Sequence, residues 1–350
     1  MGTVPSPVLA RAALAPHTTL RLGGPAERLV EARSAREVVD AVRAADRAGE
    51  PLLLLGGGSN VVIADAGVPG TALLVRSAGH RIEPDGDGTV LVTVEAGEDW
   101  DELVAATVEA GLGGLECLSG IPGSTGATPV QNVGAYGVEV ADVLVDVELL
   151  DRRTGTISVV AAAALRLGYR TSVLKHRDEA VVLRVRFRLR SDATSAPIRY
   201  AELAGALGVQ PGDRVSAQAA REAVLALRRG KGMVLDAPDH DTWSVGSFFT
   251  NPVLPAASIS DVPGLPTWPA GPERVKVPAA WLIQNAGFSA GHAGPGGRVG
   301  LSSKHVLALT NRGDGSAADL LGLAREVRNG VRTRFGVELT PEPVLVRCAL

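Results

Sequence analysis

The 350-residue sequence has few cysteines and no histidines at the spacing of a metal site. Its two cysteines, Cys117 and Cys348, form no metal-ligand spacing and provide no disulfide framework, which favours a reducing compartment. The six histidines are scattered, with neither an H-x-x-x-H nor an H-E-x-x-H pattern. We therefore predict a chain without disulfides and without a structural or catalytic metal.

The sequence also lacks a long apolar run, an evident signal peptide and a strong net charge. No uncharged apolar run reaches about 18 residues, and no basic stretch precedes an apolar core at the N-terminus. The net charge is −3, so there is no global electrostatic footprint for nucleic acid. We predict a cytoplasmic protein that binds no nucleic acid and has no membrane span, and we expect a monomer.

Hydrophobic patterning indicates an α+β chain. Helix periodicity with capping residues predicts helices at 34–49, 100–111, 216–231, 277–287 and 316–336. Alternating or apolar runs between turn residues predict strands within 19–32, 50–67, 71–77, 88–97, 142–160, 180–190, 304–311 and 337–346. Within 183–190, "LRVRFRLR" alternates arginine with apolar residues, which is typical of a strand with one solvated face.

Local composition predicts how the chain divides. The first 16 residues are rich in Ala and Pro, and we expect 1–16 to be loosely ordered. The Pro/Asp-rich stretch "DAPDHDTW" at 236–243 marks a boundary. We therefore expect one small unit at 17–75, a second at 76–230 and a third at 231–350.

"LLLLGGGSNVV" at 52–62 places three glycines after a buried strand. Glycine permits positive φ and close backbone approach. Successive N–H groups could then form an anion nest, with further donors from Ser59 and Asn60. A tight turn between two strands explains the same residues equally well, and the pattern is neither G-x-G-x-x-G nor a Walker loop.

"GIPGSTGATPVQNVGAYG" at 120–137 is a second glycine loop, with five glycines and little periodicity. Long glycine loops inside a compact domain are usually functional. Two such loops could hold the two ends of one extended phosphate ligand, and the dinucleotide FAD fits. Neither loop contains histidine or cysteine, with Cys117 at the edge of the second, so we expect non-covalent flavin.

Five stretches occur in the order typical of one enzyme family: "LLGGGSNVV", "IPGSTGATPVQNVGAYGVEV", "LGYRTSVLKH", "GSFFTNP" and "LTPEP". Together they resemble the UDP-N-acetylenolpyruvoylglucosamine reductases, called MurB, over residues 18–346. "IRYAEL" resembles the subfamily with a substrate-closing tyrosine loop. The resemblance implies a two-part flavin-binding domain of the vanillyl-alcohol-oxidase type at 17–75 and 76–230, followed by an α+β substrate domain at 231–350.

This family reduces the enolpyruvyl group of UDP-N-acetylglucosamine enolpyruvate to give UDP-N-acetylmuramate in peptidoglycan precursor synthesis. NADPH reduces FAD, and the flavin delivers hydride to the vinyl carbon. The resemblance implies that the two glycine loops bind FAD through Leu55, Gly56, Gly57, Gly58, Ser59, Asn60, Ile121, Pro122, Gly123, Ser124, Gly126, Ala127, Asn132, Gly134, Ala135 and Gly137.

The enolate-like dianion left by hydride transfer needs a cation, a neutral hydrogen-bond donor and a proton. By resemblance, Arg170 binds its carboxylate and a protonated Glu342 donates a hydrogen bond. Ser247 donates the proton, because placement can outweigh its high pKa. The plainer alternatives are a surface arginine, an exposed turn glutamate and a serine at a strand start. Thr340 and Val245 depart from the acid and the alanine common at these positions in the family.

Further residues are implied by the resemblance to bind the nucleotide end of the substrate. They are Tyr200 over the diphosphate, Lys231 facing phosphate and nicotinamide, Asn251 on the nucleotide sugar, Lys276 and His305 at further pocket positions, and Trp268 on uracil. For Trp268 and His305, packing in the core or at the rim is the alternative.

Two other functions stay open at this point. The chain could be another oxidoreductase with the same flavin fold, or a non-catalytic nucleotide-binding protein. The motifs around Arg170, Ser247 and Glu342 favour the reductase, because a shared flavin fold alone would not supply them.

Overall fold

The computed structural model describes residues 8–350, which form two compact units. Unit 1 contains residues 8–12, 26–58 and 68–230, and unit 2 contains residues 13–25, 59–67 and 231–350. Of the segment 1–16, for which loose order is predicted, residues 1–7 lie outside the described residues. Residues 8–13 of that segment form a strand.

The described residues contain both helices and strands throughout, which confirms the α+β class. The helices are α1 (Ala35–Ala48), α2 (Trp100–Glu109), α3 (Ala201–Leu207), α4 (Ala217–Gly230), α5 (Ala279–Asn285) and α6 (Ala317–Phe335). The strands are β1 (Val8–Ala13), β2 (Pro25–Ala32), β3 (Leu52–Leu55), β4 (Val61–Ile63), β5 (Val68–Val75), β6 (His80–Gly86), β7 (Thr89–Glu95), β8 (Gly134–Ala135), β9 (Val138–Glu139), β10 (Leu144–Asp151), β11 (Ile157–Ala161), β12 (Ala180–Arg190), β13 (Val253–Pro255), β14 (Trp268–Pro269), β15 (Arg274–Lys276), β16 (Val299–Leu301), β17 (Leu309–Asn311) and β18 (Val344–Val346).

Unit 1 contains two larger sheets. The first has the order β1-β2-β5-β3, and β5 pairs in parallel with both β2 and β3. The second has the order β11-β10-β12-β7-β6, and all its neighbouring strands are antiparallel. Helix α1 packs on both sheets, because its buried valines share one apolar cluster with Leu73 of β5 and Leu183 of β12.

Strand β12 has one buried and one solvated face, as its sequence predicts. Its apolar side chains are buried at every second position, and two of the arginines between them pair with acids on neighbouring strands. Arg184 binds Glu95 at 2.6 Å and Glu148 at 2.8 Å, and Arg186 binds Asp146. A surface cavity of about 580 Å³ lies over this face. Since charge pairs line it, we assign it to the solvated sheet surface.

Helix ends follow the capping residues. The Ser34 side chain accepts a hydrogen bond from the Glu37 N–H at the start of α1, and Gly49 follows its end with φ of +63°. Helix α6 begins with a reciprocal capping box between Ser316 and Asp319 and ends at Gly336. The predicted helices at 34–49 and 316–336 are therefore confirmed.

Unit 2 is built around α5, α6 and three small sheets. The antiparallel sheets are β13-β15-β14 and β16-β17, and β4 pairs in parallel with β18. One apolar cluster joins both helices to Phe248 and Phe249, which are fully buried and edge-to-face at 5.1 Å. The core of unit 2 therefore includes the two aromatics that follow Ser247.

Two strand predictions are wrong in part. Residues 19–22 form no strand, because the Thr18 hydroxyl donates to the Leu22 carbonyl and accepts from its N–H, which closes a turn. The predicted strand at 304–311 is reduced to β17. Its first residues curl into a turn in which the Ala308 N–H donates to the His305 carbonyl at 3.0 Å.

Candidate active site

The two glycine loops meet backbone to backbone in unit 1. A Cβ on Gly57 would lie 2.5 Å from the Gly123 Cα, and a Cβ on Gly56 would overlap the Ser124 hydroxyl. A side chain at Gly57 would therefore push the loops apart, and one at Gly56 would displace the Ser124 hydroxyl. The glycines after β3 are needed for this close approach, which a simple turn between strands would not require.

The loops have the features expected of a dinucleotide cradle. Thr125 is fully buried, and its hydroxyl has no hydrogen-bond partner among residues 8–350. Buried hydroxyls nearly always have a partner, so this one fits a loop that folds around a polar ligand. The Arg76 guanidinium donates to the Gly56 carbonyl at 2.9 Å, and burial lowers the pKa of Arg76. Sequence reasoning missed Arg76, which has no signal beyond its place after β5, although its guanidinium lies beside the first loop.

Arg170 lies against the second glycine loop. Its guanidinium donates to the Gly134 carbonyl at 2.6 Å and to the Asn132 carbonyl at 3.5 Å. It also lies 5.5 Å from the centre of the Tyr169 ring. The structure therefore brings the predicted catalytic cation to the predicted flavin loop.

The Asn132 side chain is engaged inside the loop. Its amide donates to Glu139 Oε2 at 2.8 Å and to the Gly168 carbonyl at 3.1 Å. Its oxygen accepts from the Ala141 N–H at 3.0 Å. The buried side chain predicted to bind cofactor thus binds protein groups.

Tyr200 rests on the tip of the second glycine loop. The residue is 47% exposed, and its ring meets the Tyr136 ring edge-on at 5.5 Å. Tyr136 adopts a φ of +49° at the turn between β8 and β9, a conformation that aromatic residues rarely adopt. Burial raises the pKa of Tyr136 to about 12, so its phenol stays neutral. Sequence reasoning missed Tyr136, although its position inside the quoted loop motif was a usable signal.

In unit 2, the Ser247 segment is hydrogen-bonded on both sides. On one side, the Phe248 N–H donates to the Leu307 carbonyl at 2.7 Å. On the other, the Glu342 N–H donates to the Phe248 carbonyl at 2.9 Å. Gly246, with φ of +72°, directs the chain into this position. The backbones of Ser247 and Glu342, predicted to act together, are therefore neighbours.

The end of the first glycine loop joins the same row of backbone groups. The Val344 N–H donates to the Asn60 carbonyl at 2.9 Å, and the Asn60 amide lies 3.5 Å from the Glu342 carbonyl. Parallel pairing of β4 with β18 continues this contact. Hydrogen bonds thus connect Asn60 to Glu342, and Glu342 in turn to Phe248.

Three residues predicted at the nucleotide end lie on or beside one small sheet. Trp268 of β14 and Val253 of β13 flank Lys276 of β15 as direct cross-strand partners. Asn251 precedes β13, and its side-chain oxygen accepts from the Ala279 N–H at 2.9 Å. Trp268 is 49% exposed, so it does not pack in the core.

Lys231 and His305 flank a cluster around Asp241. The Asp241 carboxylate accepts from the Ser302 hydroxyl, the Ser303 hydroxyl and the Ser303 N–H at 2.9–3.0 Å. The Ser302 hydroxyl in turn accepts from the His305 N–H at 3.2 Å. Gly232, the residue after Lys231, lies close to Asp241, so the Lys231 backbone is next to this cluster.

Comparisons with known proteins match two parts of the chain to known families. Residues 26–161 match the family described as "FAD binding domain", and residues 237–346 match "UDP-N-acetylenolpyruvoylglucosamine reductase, C-terminal domain". The reductase of Saccharopolyspora erythraea is 62% identical over 97% of this chain and 95% of its own length. The chain belongs to the UDP-N-acetylenolpyruvoylglucosamine reductase family. The reductase of Salinispora arenicola, another member, is 58% identical over 96% of this chain and 95% of its own length.

A solved member of the reductase family shares the fold. The MurB crystal structure from Thermus caldophilus covers 97% of this chain and 98% of its own length, with a TM-score of 0.67 and 25% identity. The predicted flavin-binding half and C-terminal substrate half are confirmed as FAD-binding and reductase-type domains. Across residues 8–350, none of the helices combines the length and apolar character needed to cross a membrane. As a family member, the chain is an oxidoreductase that uses FAD, with NADPH as co-substrate.

Proposed function

We propose that the chain reduces UDP-N-acetylenolpyruvoylglucosamine to UDP-N-acetylmuramate, with FAD as cofactor and NADPH as reductant, in peptidoglycan precursor synthesis. One observation carries the residue assignments: the hydrogen bond that places Glu342 beside the Ser247 segment, at 2.9 Å from Glu342 N to the Phe248 oxygen. It lies within the region that matches the reductase C-terminal domain.

The two glycine loops would hold FAD. Their contact through Gly57 and Gly123, and the buried Thr125 hydroxyl, fit a pyrophosphate-containing ligand. When bound, FAD supplies hydride transfer from NADPH to the substrate. The chain's own task is to bind and orient the substrate, balance its charge and deliver one proton.

Ser247 is assigned the proton. Hydride addition to the terminal vinyl carbon leaves an electron pair on the carbon that carries the carboxylate. The Ser247 hydroxyl gives its proton to that carbon, which completes the addition of hydride and proton across the double bond, and water reprotonates the serine. Buried Phe248 and Phe249 fix the backbone from which this hydroxyl projects. Fixed placement compensates for the high pKa of an alcohol.

Arg170 and Glu342 are assigned to the developing negative charge. A guanidinium has five N–H groups, so it can bind the second glycine loop and a carboxylate together. Glu342 in its protonated form donates a hydrogen bond to the same dianion, between prolines that keep its backbone extended.

Six residues are assigned to the substrate's nucleotide end. Tyr200, supported by Tyr136, closes over the diphosphate. In unit 2, Lys276 and exposed Trp268 are cross-strand partners suited to phosphate and uracil. Asn251, Lys231 and His305 complete this set. We also propose a cytoplasmic monomer with the predicted divisions 17–75, 76–230 and 231–350.

NADPH consumption by the purified protein tests the proposal, measured with and without UDP-N-acetylglucosamine enolpyruvate. Consumption that depends strongly on this substrate supports it. Consumption that ignores the substrate would indicate another flavin oxidoreductase. No consumption by flavin-loaded protein would indicate a nucleotide-binding protein without this activity.

A further inference from the structure

The turn that carries Arg170 has an unusual backbone. Gly168 and Thr171 close it with two hydrogen bonds, of 3.0 Å from Gly168 N and 3.2 Å from Thr171 N. Arg170 lies inside the turn with φ of +54°. This left-handed backbone conformation is energetically unfavourable for residues other than glycine. A turn of this kind persists when its surroundings hold it in place.

Asn132 supplies that support from the second glycine loop. It is fully buried, and its amide donates to the Gly168 carbonyl of the turn at 3.1 Å. Its own backbone carbonyl accepts from the Arg170 guanidinium at 3.5 Å. Asn132 thus contacts both the backbone of the turn and the charged group that the turn carries.

The Asn132 side chain has no N–H left for a cofactor. An amide NH₂ has two N–H groups, and these donate to Gly168 and to Glu139 Oε2. Asn132 itself has φ of +50°, which asparagine tolerates better than most residues. The contacts that Asn132 makes with the loop and the turn therefore account for an asparagine at this position, without a contact to flavin.

We propose that Asn132 is a positioning residue for Arg170: it fixes the arginine's turn to the flavin loop and so sets where the guanidinium meets the substrate carboxylate. This inference rests on the role proposed for Arg170. The Ser172 hydroxyl also joins the two segments, since it donates to the Val130 carbonyl at 2.5 Å, and Lys175 Nζ donates to the Arg170 carbonyl within the turn segment at 3.0 Å. Loss of the Asn132 link should therefore displace the guanidinium without unfolding the loop.

The test is Asn132→Asp in the flavin-loaded enzyme, with the two half-reactions measured separately. Aspartate keeps the shape and tolerates positive φ, but it cannot donate to Gly168 and it faces the Glu139 carboxylate. We expect NADPH to reduce the flavin within about twofold of the wild-type rate, and flavin occupancy to be retained. Reoxidation by substrate should slow by about 10- to 100-fold, since small misplacements of a catalytic group cost that much.

A double-mutant comparison separates positioning from general damage. Asn132→Asp added to Arg170→Lys should slow reoxidation little further than Arg170→Lys alone, because both act on one contact. Asn311→Asp is the matched control: Asn311 is equally buried, donates to the Leu20 carbonyl at 2.9 Å and accepts from two loop N–H groups. It should lower the melting temperature while leaving both half-reactions normal per bound flavin.

Several results would overturn the proposal. Loss of flavin occupancy with normal reoxidation of the remaining holoenzyme would make Asn132 a cofactor-binding residue. Wild-type rates of both half-reactions in Asn132→Asp would exclude a positioning role. So would a double variant whose rate loss equals the product of the two single-variant losses. If Asn132→Asp does not fold, Asn132→Gly, which keeps the backbone angle and removes the amide, should show the same selective slowing. Near-normal turnover of Arg170→Lys alone would instead refute the role proposed for Arg170.

Discussion

Glu342 donates its backbone N–H to the carbonyl oxygen of Phe248 at 2.9 Å. The bond joins the last extended segment of the chain to the segment that contains Ser247. An adjacent bond, from the Thr250 N–H to the Thr340 carbonyl at 3.1 Å, continues the pairing. A proposed proton donor and a proposed hydrogen-bond donor are therefore carried by paired backbones, which keeps their separation fixed.

Ser247→Ala should separate the two half-reactions. NADPH should still reduce the flavin, because no proton from Ser247 is needed there. Reoxidation by substrate should fall by about 10²- to 10⁴-fold, the usual contribution of a positioned acid. Stopped-flow absorbance of the flavin measures both steps. Ser258→Ala, which removes a hydroxyl bound to the Pro255 carbonyl at 2.8 Å, is the matched control; equal rates for the two variants would refute the assignment.

Arg170→Lys should reduce kcat severely even though the charge is retained. An ammonium cannot reproduce the forked geometry that a guanidinium presents to a carboxylate. We expect a loss of about 10²- to 10³-fold, similar to loss of one donor to a developing oxyanion. Steady-state kinetics give the value. Arg166→Lys serves as control, because Arg166 is exposed and also has positive φ, at +49°. Similar losses in both would point to turn strain rather than to substrate binding.

Gly57→Ala should reduce flavin occupancy. The new Cβ would lie 2.5 Å from the Gly123 Cα, a backbone atom that cannot rotate away. Forcing the loops apart should cost about 1–3 kcal/mol of stability and widen the cradle. The ratio of flavin to protein absorbance after purification reports the loss. Gly205→Ala in α3, where an added methyl meets nothing within 4 Å, should keep full occupancy; a flavin-replete Gly57→Ala enzyme would argue against the cradle.

Cys117 should resist alkylation in the native enzyme. Burial, with a smaller contribution from Glu116, raises the pKa of its thiol to about 12, so almost no thiolate is present near neutral pH. Iodoacetamide labelling followed by peptide mass spectrometry should find Cys117 unmodified in native protein and modified after unfolding in urea. Rapid labelling of native protein at Cys117 would show that the start of the second glycine loop opens in solution.

Asp319→Asn should destabilise the protein in a pH-dependent way. Arg298, with help from Ser316, lowers the pKa of Asp319 to about 2 from an ordinary value of 3.8. A lowered carboxyl pKa stabilises the fold above the unfolded value, and this stabilisation is lost as pH falls through the folded value. The variant's lower melting temperature should therefore be clear at pH 7 and shrink between about pH 4 and pH 2. A pH-independent difference would mean that the charge is not responsible. Asp314→Asn, on the loop before α6, is the control.

Elements with strong local signals were predicted well. The Ser34 side chain caps the start of α1, and the backbone freedom of Gly49 allows the helix to end there. Both effects act within one turn of the helix. Strand β12 follows from strict alternation. Strand β6, "HRIEPDG", was missed because all its residues are exposed and its sequence has no apolar face. Helix α3 has only seven residues, too few for a clear helical period.

Residues of the candidate site could be proposed from the sequence where their motifs are contiguous. Both glycine loops, the Arg170 turn and the Ser247 segment were identified from short stretches. The contacts between these stretches were not, because hydrogen bonds such as that of Asn132 to Gly168 leave no mark on either local sequence. The same holds for the edge-on contact of Tyr136 with Tyr200.

The sequence by itself determined the α+β class, the helix caps, the glycine loops and the residue types available for chemistry, because each depends on neighbours within a few positions. Only the tertiary structure decided which groups these residues meet. It pairs Glu342 with Phe248, packs Gly57 on Gly123 and directs the Asn132 amide to the Arg170 turn. Buried polar groups must find partners wherever folding brings donors and acceptors together, so their assignments belong to the fold as a whole.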